Sequence, residues 1–372
     1  MARSLAYDPK FALNAICPYF TMFPLEYPLN ALKKHIRAGG VVFDPFCGRG
    51  TTLYAARILG MTGWGLDTSP IAVAVAKAKL AQAKSEAILQ LAESFLGREP
   101  VNIPQTEFFR YAYAPETLQQ LCALREGLLS LEHESGESTI LRAAALGCLH
   151  GPLNQTKEGM AYFSNQMPRT FASKPDYSVG YWKKRNMIAP KIDVLQVIKR
   201  KLSRIKDLDR NADNGEEQVL CLNSCSKDSY SQLPGNISTV VTSPPYYGMR
   251  TYVQDQWLRN WFLGGPETVN YANEDQIKHN TVDSFVNDLG AVWRNIAAST
   301  VDEVHYYIRF GSLPSTKKDA RTILRNSFDV AGGLKVVSVR NASDANAGKR
   351  QADQMKSESI PVDEFDFHVI RR

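Results

Sequence analysis

The chain has 372 residues, enough for one large α/β domain with an inserted or appended module, and its 44% hydrophobic and 22% charged residues are ordinary for a globular fold. No run approaches the ~18 apolar residues that span a bilayer, and Met1 to Lys10 hold no apolar signal core, so a cytoplasmic protein with no membrane partner is expected. A net charge of +6 and a pI near 8.9 permit a polyanionic partner without demanding one. The cysteines (Cys17, Cys47, Cys122, Cys148, Cys221, Cys225) form no C-x-x-C pair, so neither zinc nor a disulfide framework is expected.

In chain order, a Pro- and aromatic-rich opening (Cys17-Pro-Tyr-Phe-Thr-Met-Phe-Pro) leads to a helical pattern from Leu29 to Ile36 that Gly39-Gly40 ends. Val41-Val42-Phe43 reads as a short buried strand running into Asp44-Pro-Phe-Cys-Gly-Arg-Gly-Thr-Thr. Gly48 and Gly50 allow a tight turn and close backbone approach by a ligand, and Thr51-Thr52 open a helix from Leu53 to Leu59. A second strand from Gly63 ends at Asp67, seventeen residues beyond Gly50, close to the spacing used to grip ribose hydroxyls. The third Gly of a dinucleotide fingerprint is replaced by Leu53, and no Lys follows Gly50, which disfavours a triphosphate. An Ala-rich helix is expected from Ile71 to about Phe95.

Helical patterns follow over Pro115–Leu131 and Ile140–Leu149. The segment from Gly151 to Pro190 then interleaves Tyr162, Phe163, Phe171, Tyr177, Tyr181 and Trp182 with Lys157, Arg169, Lys174, Lys183, Lys184 and Arg185. Such a pattern suits a nucleic-acid surface, and is also found in ordinary loop-rich subdomains. An amphipathic basic helix from Val194 to Leu208 and a polar linker, Asn211 to Glu217, close this module; the helix's charges read as a solvated face.

Strands resume at Val219-Leu-Cys-Leu, ending at Asn223-Ser224, and at Ile237 to Val241, which runs into Thr242-Ser-Pro-Pro-Tyr-Tyr. Two prolines forbid continuation of the strand and set a stiff turn. Ser243 and Pro244 can present acceptors there and Tyr246 a stacking face, which suits a planar base bearing an exocyclic amine. A Trp-rich segment (Trp257 to Trp261), a helix from Val282 to Ser299 and strands at Val304–Phe310, Lys335–Arg340 and Glu364–Ile370 complete the chain. His305 and His368 fall within strands and read as packed there.

Asp44-Pro-Phe-Cys-Gly-Arg-Gly-Thr-Thr together with Thr242-Ser-Pro-Pro-Tyr resembles the amino-methylating DNA methyltransferases, in the S-P-P-Y form typical of the N4-cytosine branch. Pro18-Tyr-Phe-Thr-Met-Phe-Pro, Ile308-Arg-Phe-Gly and Gly348-Lys-Arg-Gln-Ala-Asp-Gln resemble further elements of that family. The resemblance implies a Rossmann-like class I methyltransferase sheet, mostly parallel with an antiparallel C-terminal strand, and an inserted recognition region. It divides the chain into a cofactor half (1–99), a target-recognition insertion (100–217) and a catalytic half (218–372).

The implied cofactor is S-adenosylmethionine, held by Tyr19, Phe20, Asp44, Pro45, Phe46, Cys47, Gly48, Gly50, Thr51, Thr52, Asp67 and Asn223, the last standing where many relatives carry an acid. Ser243, Pro244, Pro245 and Tyr246 are the implied catalytic residues, with Lys174, Lys183, Lys184, Arg185 and Arg250 on double-stranded DNA and no metal. Ser243 in the first place implies N4 of a flipped cytosine as acceptor, with N6 of adenine or an RNA target as the alternatives, and a cognate restriction endonuclease as a partner.

Overall fold

A computed structural model describes residues 9–18, 23–36, 40–152, 155–156, 159–168, 174–206, 208, 218–248, 253–269, 281–342 and 363–372. Tyr19, Phe20 and Arg250, the polar linker and the Gly348 motif lie outside the described residues. The chain divides into two compact units, one built from 20–76, 212–251 and 274–372 and the other from 1–19, 77–211 and 252–273.

The first unit is organised on a seven-stranded sheet. Its strands are β1 (Val41–Asp44), β2 (Thr62–Asp67), β3 (Gln218–Cys221), β4 (Ile237–Thr242), β5 (Thr300–Gly311), β6 (Leu334–Asn341) and β7 (Glu364–Arg371). They lie in the order β3-β2-β1-β4-β5-β7-β6. The first five pair in parallel, and β7 runs antiparallel between β5 and β6, so the expected antiparallel C-terminal strand is present. Near-continuous apolar runs explain which strands sit centrally. All of β1 is buried, and Ile237, Val240 and Val241 of β4 are fully buried, as expected for parallel strands covered on both faces.

Helices α1 (Glu26–Leu32) and α2 (Thr51–Ile58) pack together, α2 lying against β1 and β2. Helices α11 (Val282–Ala297) and α12 (Ala320–Ala331) also pack as a pair, α12 against the β5-β7-β6 edge. The core between the sheet and α11–α12 holds Phe43, Phe285, Trp293, Tyr306, Phe328 and Phe367. Each such side chain contributes about 1.5–3 kcal/mol by leaving water. The sequence reading did not delimit α12. Its signal is an Asp319 cap followed by apolar Ile323, Leu324 and Phe328 on one face.

The second unit is helical: α4 (Ser85–Leu96), α5 (Glu107–Ala112), α6 (Pro115–Leu129), α7 (Gly136–Leu146), α8 (Pro175–Lys184), α9 (Val194–Ser203) and α10 (Trp257–Phe262). The Ala-rich pattern expected as one helix is in fact α3 (Pro70–Leu80) and α4. No Pro or Gly makes the break. Tertiary bonds do: the Ala83 N–H donates to the Leu208 carbonyl at 3.2 Å, and Gly136 packs so closely on Gln82 that a Cβ there would sit 2.0 Å from its carbonyl oxygen. Helix α4 packs on α6, α7 and α9, within the compact unit that takes in residues 77–211. Among the described residues no helix is long and apolar enough to cross a membrane.

Candidate active site

Every strand of the parallel set ends on the same edge of the sheet, so Asp44, Asp67, Asn223 and Ser243 come together from four separate strand ends. The loop after β1 is folded by its own backbone. Cys47 N–H donates to the Leu66 carbonyl (2.9 Å), and Gly50 N–H donates to the Cys47 carbonyl (2.7 Å). Gly50 caps α2 in the left-handed region at φ 74°, where a Cβ would lie 2.7 Å from that of Ala76. Only glycine closes this turn without strain. At Gly48, φ 50°, a Cβ would meet nothing within 4 Å, so this peptide faces open space.

Asp67 ties β2 to that loop. Its Oδ2 accepts the Gly48 N–H at 2.9 Å and its Oδ1 accepts the Ser69 N–H at 2.8 Å. The Thr68 N–H bonds the same carboxylate, so of its roughly four acceptor sites one remains after these three bonds. Burial raises the Asp67 carboxyl from the ordinary value, against the pull of its backbone donors.

Asp44 has a different role from its neighbours. It is 1% exposed, and its Oδ1 accepts from Thr242 Oγ1 at 2.6 Å and from Phe46 N–H at 3.1 Å. Burial pushes its carboxyl up to about 6, offset in part by hydrogen bonds from Thr242, Thr52 and Phe46. Thr52 Oγ1 also donates to the Val241 carbonyl at 3.1 Å. The cofactor-type loop and the S-P-P-Y turn are therefore bonded to each other through Asp44 and Thr52. Thr51, at the first position of α2, is buried. Pro45 is held by Ser224, whose hydroxyl donates to its carbonyl; Phe46 is half-buried, and Cys47 packs under Gly65, where a Cβ would meet its Cβ at 2.8 Å.

Asn223 is exposed, and its Oδ1 accepts the Cys225 N–H at 2.9 Å, so the group it turns outward is a donor, the Nδ2 amide. In the turn after β4, Pro244 is buried while Ser243, Pro245 and Tyr246 are half-buried. The Tyr246 hydroxyl hydrogen-bonds the side chains of Ser243 and Glu364, and burial with the Glu364 charge drives its ionisation well upward. Its ring meets Phe310 edge-on at 5.9 Å. Tyr247 turns the other way, onto Phe285 at 5.3 Å. Thr242, Ser224 and Glu364 were given no role by the sequence reading. Thr242 adjoins the motif; Glu364 lies on a distant strand and carries no local signal.

Of the basic residues expected on nucleic acid, Lys174, Lys183, Lys184 and Arg185 lie on α8 of the helical unit or at its caps, and Arg250 is outside the described residues. Lys174 is exposed at its N-cap, while Lys183, Lys184 and Arg185 cluster at its C-terminal end. Lys183 pairs with Glu107, and Arg185 stacks on the Tyr181 ring at 3.9 Å, leaving Lys184 as an exposed cation between them.

Residues 7–78 match the family described as DNA methylase, of the N6/N4 type. The Type II methyltransferase M.MjaII of Methanocaldococcus jannaschii is 35% identical over 68 residues, which are 18% of this chain and 13% of that protein. The chain resembles the amino-methylating DNA methyltransferases. The stretch shared with that relative is a small part of either protein, and the family match over residues 7–78 takes in the first of the two motifs, Asp44 to Thr52, and Asp67. Among solved structures, the rRNA methyltransferase aviRa of Streptomyces viridochromogenes aligns over 100% of this chain and 94% of its own, at 13% identity and a TM-score of 0.36. An S-adenosylmethionine-dependent methyltransferase of Methanosarcina mazei aligns over 92% of this chain and 96% of its own, at 7% identity and a TM-score of 0.36. The cofactor of the DNA methylase family is S-adenosylmethionine, and the residues present fit it. The Gly48 turn opens to space beside a half-buried Asp67 whose carboxylate keeps an acceptor site, which the hydroxyls of a diol need.

Proposed function

We propose that the chain is a site-specific DNA methyltransferase that methylates the exocyclic N4 of a cytosine flipped out of the duplex, as part of a restriction-modification pair. The observation that carries this reading is the Thr242–Asp44 hydrogen bond, 2.6 Å, which joins an S-P-P-Y turn to the start of a D-P-F-x-G-x-G loop. Asp67 would hold the ribose hydroxyls, and the Gly48–Gly50 backbone with Pro45, Phe46, Cys47, Thr51 and Thr52 would line the rest of the cofactor. The outward Nδ2 of Asn223 suits adenine's N1 acceptor better than its N6 amine. That follows from the replacement of an acid by an amide whose oxygen is already engaged.

When bound, S-adenosylmethionine supplies a methyl group already made electrophilic by its sulfonium. The difficulty lies in the acceptor, because the N4 lone pair is delocalised into the cytosine ring. Hydrogen bonds from the amine to Ser243 Oγ and the Pro244 carbonyl would draw that lone pair back onto nitrogen. Preorganised acceptors of this kind cost no reorganisation during reaction. The exposed part of the Tyr246 ring would stack on the flipped base and offset its unstacking. Lys174, Lys184 and Arg185 of the helical unit would neutralise phosphates, with Lys183 contributing only after leaving Glu107.

The test is nucleoside mass spectrometry after incubation of DNA, and separately RNA, with the protein and isotope-labelled S-adenosylmethionine. Label in 4-methylcytosine from DNA is the expected result. Label in 6-methyladenine alone, or in RNA alone, overturns the acceptor named here.

A further inference from the structure

The Tyr246 ring packs against the backbone of β5 because Gly311 leaves room for it; a Cβ there would sit 2.9 Å from Tyr246 Cε2. Gly311 is the register partner of Glu364 on β7, so the hydroxyl end of the ring reaches the Glu364 carboxylate as well as Ser243. The turn has little freedom to slip. The Leu313 N–H donates to the Tyr247 carbonyl at 3.0 Å, and the Tyr247 ring is seated on Phe285. The next charged pair along the same strands is closed on itself: Arg309 grips Asp366 through two bonds of 2.7 and 2.8 Å and stacks on Tyr27 at 4.3 Å.

The direction of this chain follows from what each group can do. An ionised carboxylate only accepts, so the Tyr246 O–H donates to Glu364. The Tyr246 oxygen is then the acceptor for the Ser243 O–H. With its proton given to Tyr246, Ser243 Oγ has only lone pairs to offer to whatever enters the S-P-P-Y turn. Without Glu364, the Ser243 and Tyr246 hydroxyls are free to turn so that Ser243 offers a proton instead, which an amine's N–H would repel.

We propose that Glu364 is a positioning residue: through Tyr246 it fixes the Ser243 hydroxyl as an acceptor for the substrate amine. The inference rests on the methyl-transfer reading above and adds to it the group that sets the polarity of the site. Chains of hydrogen bonds ending on a charge strengthen one another in a poorly solvated site, so the effect on Ser243 exceeds that of two isolated hydroxyls.

The test uses the full chain labelled with 13Cζ-tyrosine, the Tyr246 resonance being assigned by its loss in Tyr246→Phe. Glu364→Gln, nearly isosteric and half-exposed, is expected to shift that resonance, while Glu303→Gln, exposed and on another part of the sheet, leaves it in place. In single-turnover methyl transfer, Glu364→Gln and Tyr246→Phe are each expected to slow the step about tenfold, with cofactor affinity and KM for DNA unchanged in Glu364→Gln. The double variant should be no slower than the slower single one, because both changes break the same chain; independent effects would multiply to about a hundredfold.

An unmoved Tyr246 resonance in Glu364→Gln, or multiplied losses in the double variant, overturns the proposal. A wild-type protein that methylates neither amine overturns the methyl-transfer reading itself, and with it the role of Glu364. The resonance shift then reports only whether the hydrogen-bond chain exists, so the two failures are told apart.

Discussion

Replacing Asp44 by Asn should stabilise the protein at neutral pH and do nothing near pH 4. The carboxyl is 1% exposed and its titration lies at about 6, against 3.8 in an exposed chain, chiefly because burial penalises the charge. Between those values the folded state keeps a proton that the unfolded chain has released. Stability therefore falls as pH rises through that window, by ~1.4 kcal/mol per pH unit at most and ~3 kcal/mol in all. Above the folded value the full cost is present; below the unfolded value it is absent. Asparagine keeps the acceptor for Thr242 and Phe46, which both donate to the single oxygen Oδ1, and Thr52 retains its bond to the Val241 carbonyl. Removing the charge while keeping the bonds should thus gain ~2–3 kcal/mol at pH 7.5 and close to zero at pH 4. Urea denaturation of both proteins at the two pH values measures this. A loss of stability at pH 7.5, or an equal difference at both pH values, would refute the account of Asp44 as a charge held at a cost. If that charge is kept for a cationic ligand, Asp44→Asn should also weaken the sulfonium cofactor more than its neutral thioether product.

Asp67→Ala should weaken S-adenosylmethionine by ~1–3 kcal/mol in calorimetric titration, since two ribose hydroxyls lose a charged acceptor; unchanged affinity removes Asp67 from the site. Gly50→Ala should lower stability by ~2–4 kcal/mol in thermal melts, because it adds a left-handed strain to a clash with Ala76; a melt like that of the parent protein would mean the turn refolds freely. Reversing the charge of Lys184 and Arg185 together should weaken DNA binding and flatten its salt dependence with cofactor affinity untouched, and an unaltered slope returns α8 to a structural role. Ser243→Ala should cut turnover by ~10²–10³ with cofactor binding intact; a loss confined to KM would mean that Ser243 binds the base without activating it.

The parts of the site that were legible in the sequence are those written within a few residues of one another. A buried strand followed by Gly-x-Gly, or by two prolines, announces its own turn, and Asp67 is announced by the end of β2. What escaped was written across the chain. The partner of Tyr246 sits on the last strand, placed there by the pairing of Gly311 with Glu364, and no local pattern encodes that register. That Asp44 also clamps the two turns together was not legible, because only the β1–β4 pairing brings Thr242 within 2.6 Å of it. The break between α3 and α4 was invisible for the same reason, since the residues 81–84 favour a helix and distant backbone groups overrule them. Even α8, which begins at Pro175, was masked by its own content of glycine and aromatic residues.

The order of the strands supplies a reason for the site's position that does not depend on either motif. Reading outward from β1, the chain goes to β2 and β3 on one side and to β4 and β5 on the other, so the winding reverses between β1 and β4. Loops leaving the two central strands must diverge there, and the crevice outside their carboxyl ends is where open parallel sheets take their ligands. The two loops that flank this crevice are the Asp44–Gly50 turn and the Ser243–Tyr246 turn, joined at their strand ends by hydrogen bonds between residues 198 and 189 apart in the sequence. Divergence would leave two independent loops. The Asp44–Thr242 and Thr52–Val241 bonds instead make them one body, so a group held by one loop has a fixed position relative to the acceptors of the other. A transfer between two bound molecules needs that fixed relation more than it needs any single side chain, because the gain comes from alignment already present before the reactants meet. The buried carboxyl of Asp44 is best understood in those terms, as the link that joins two turns into a single frame.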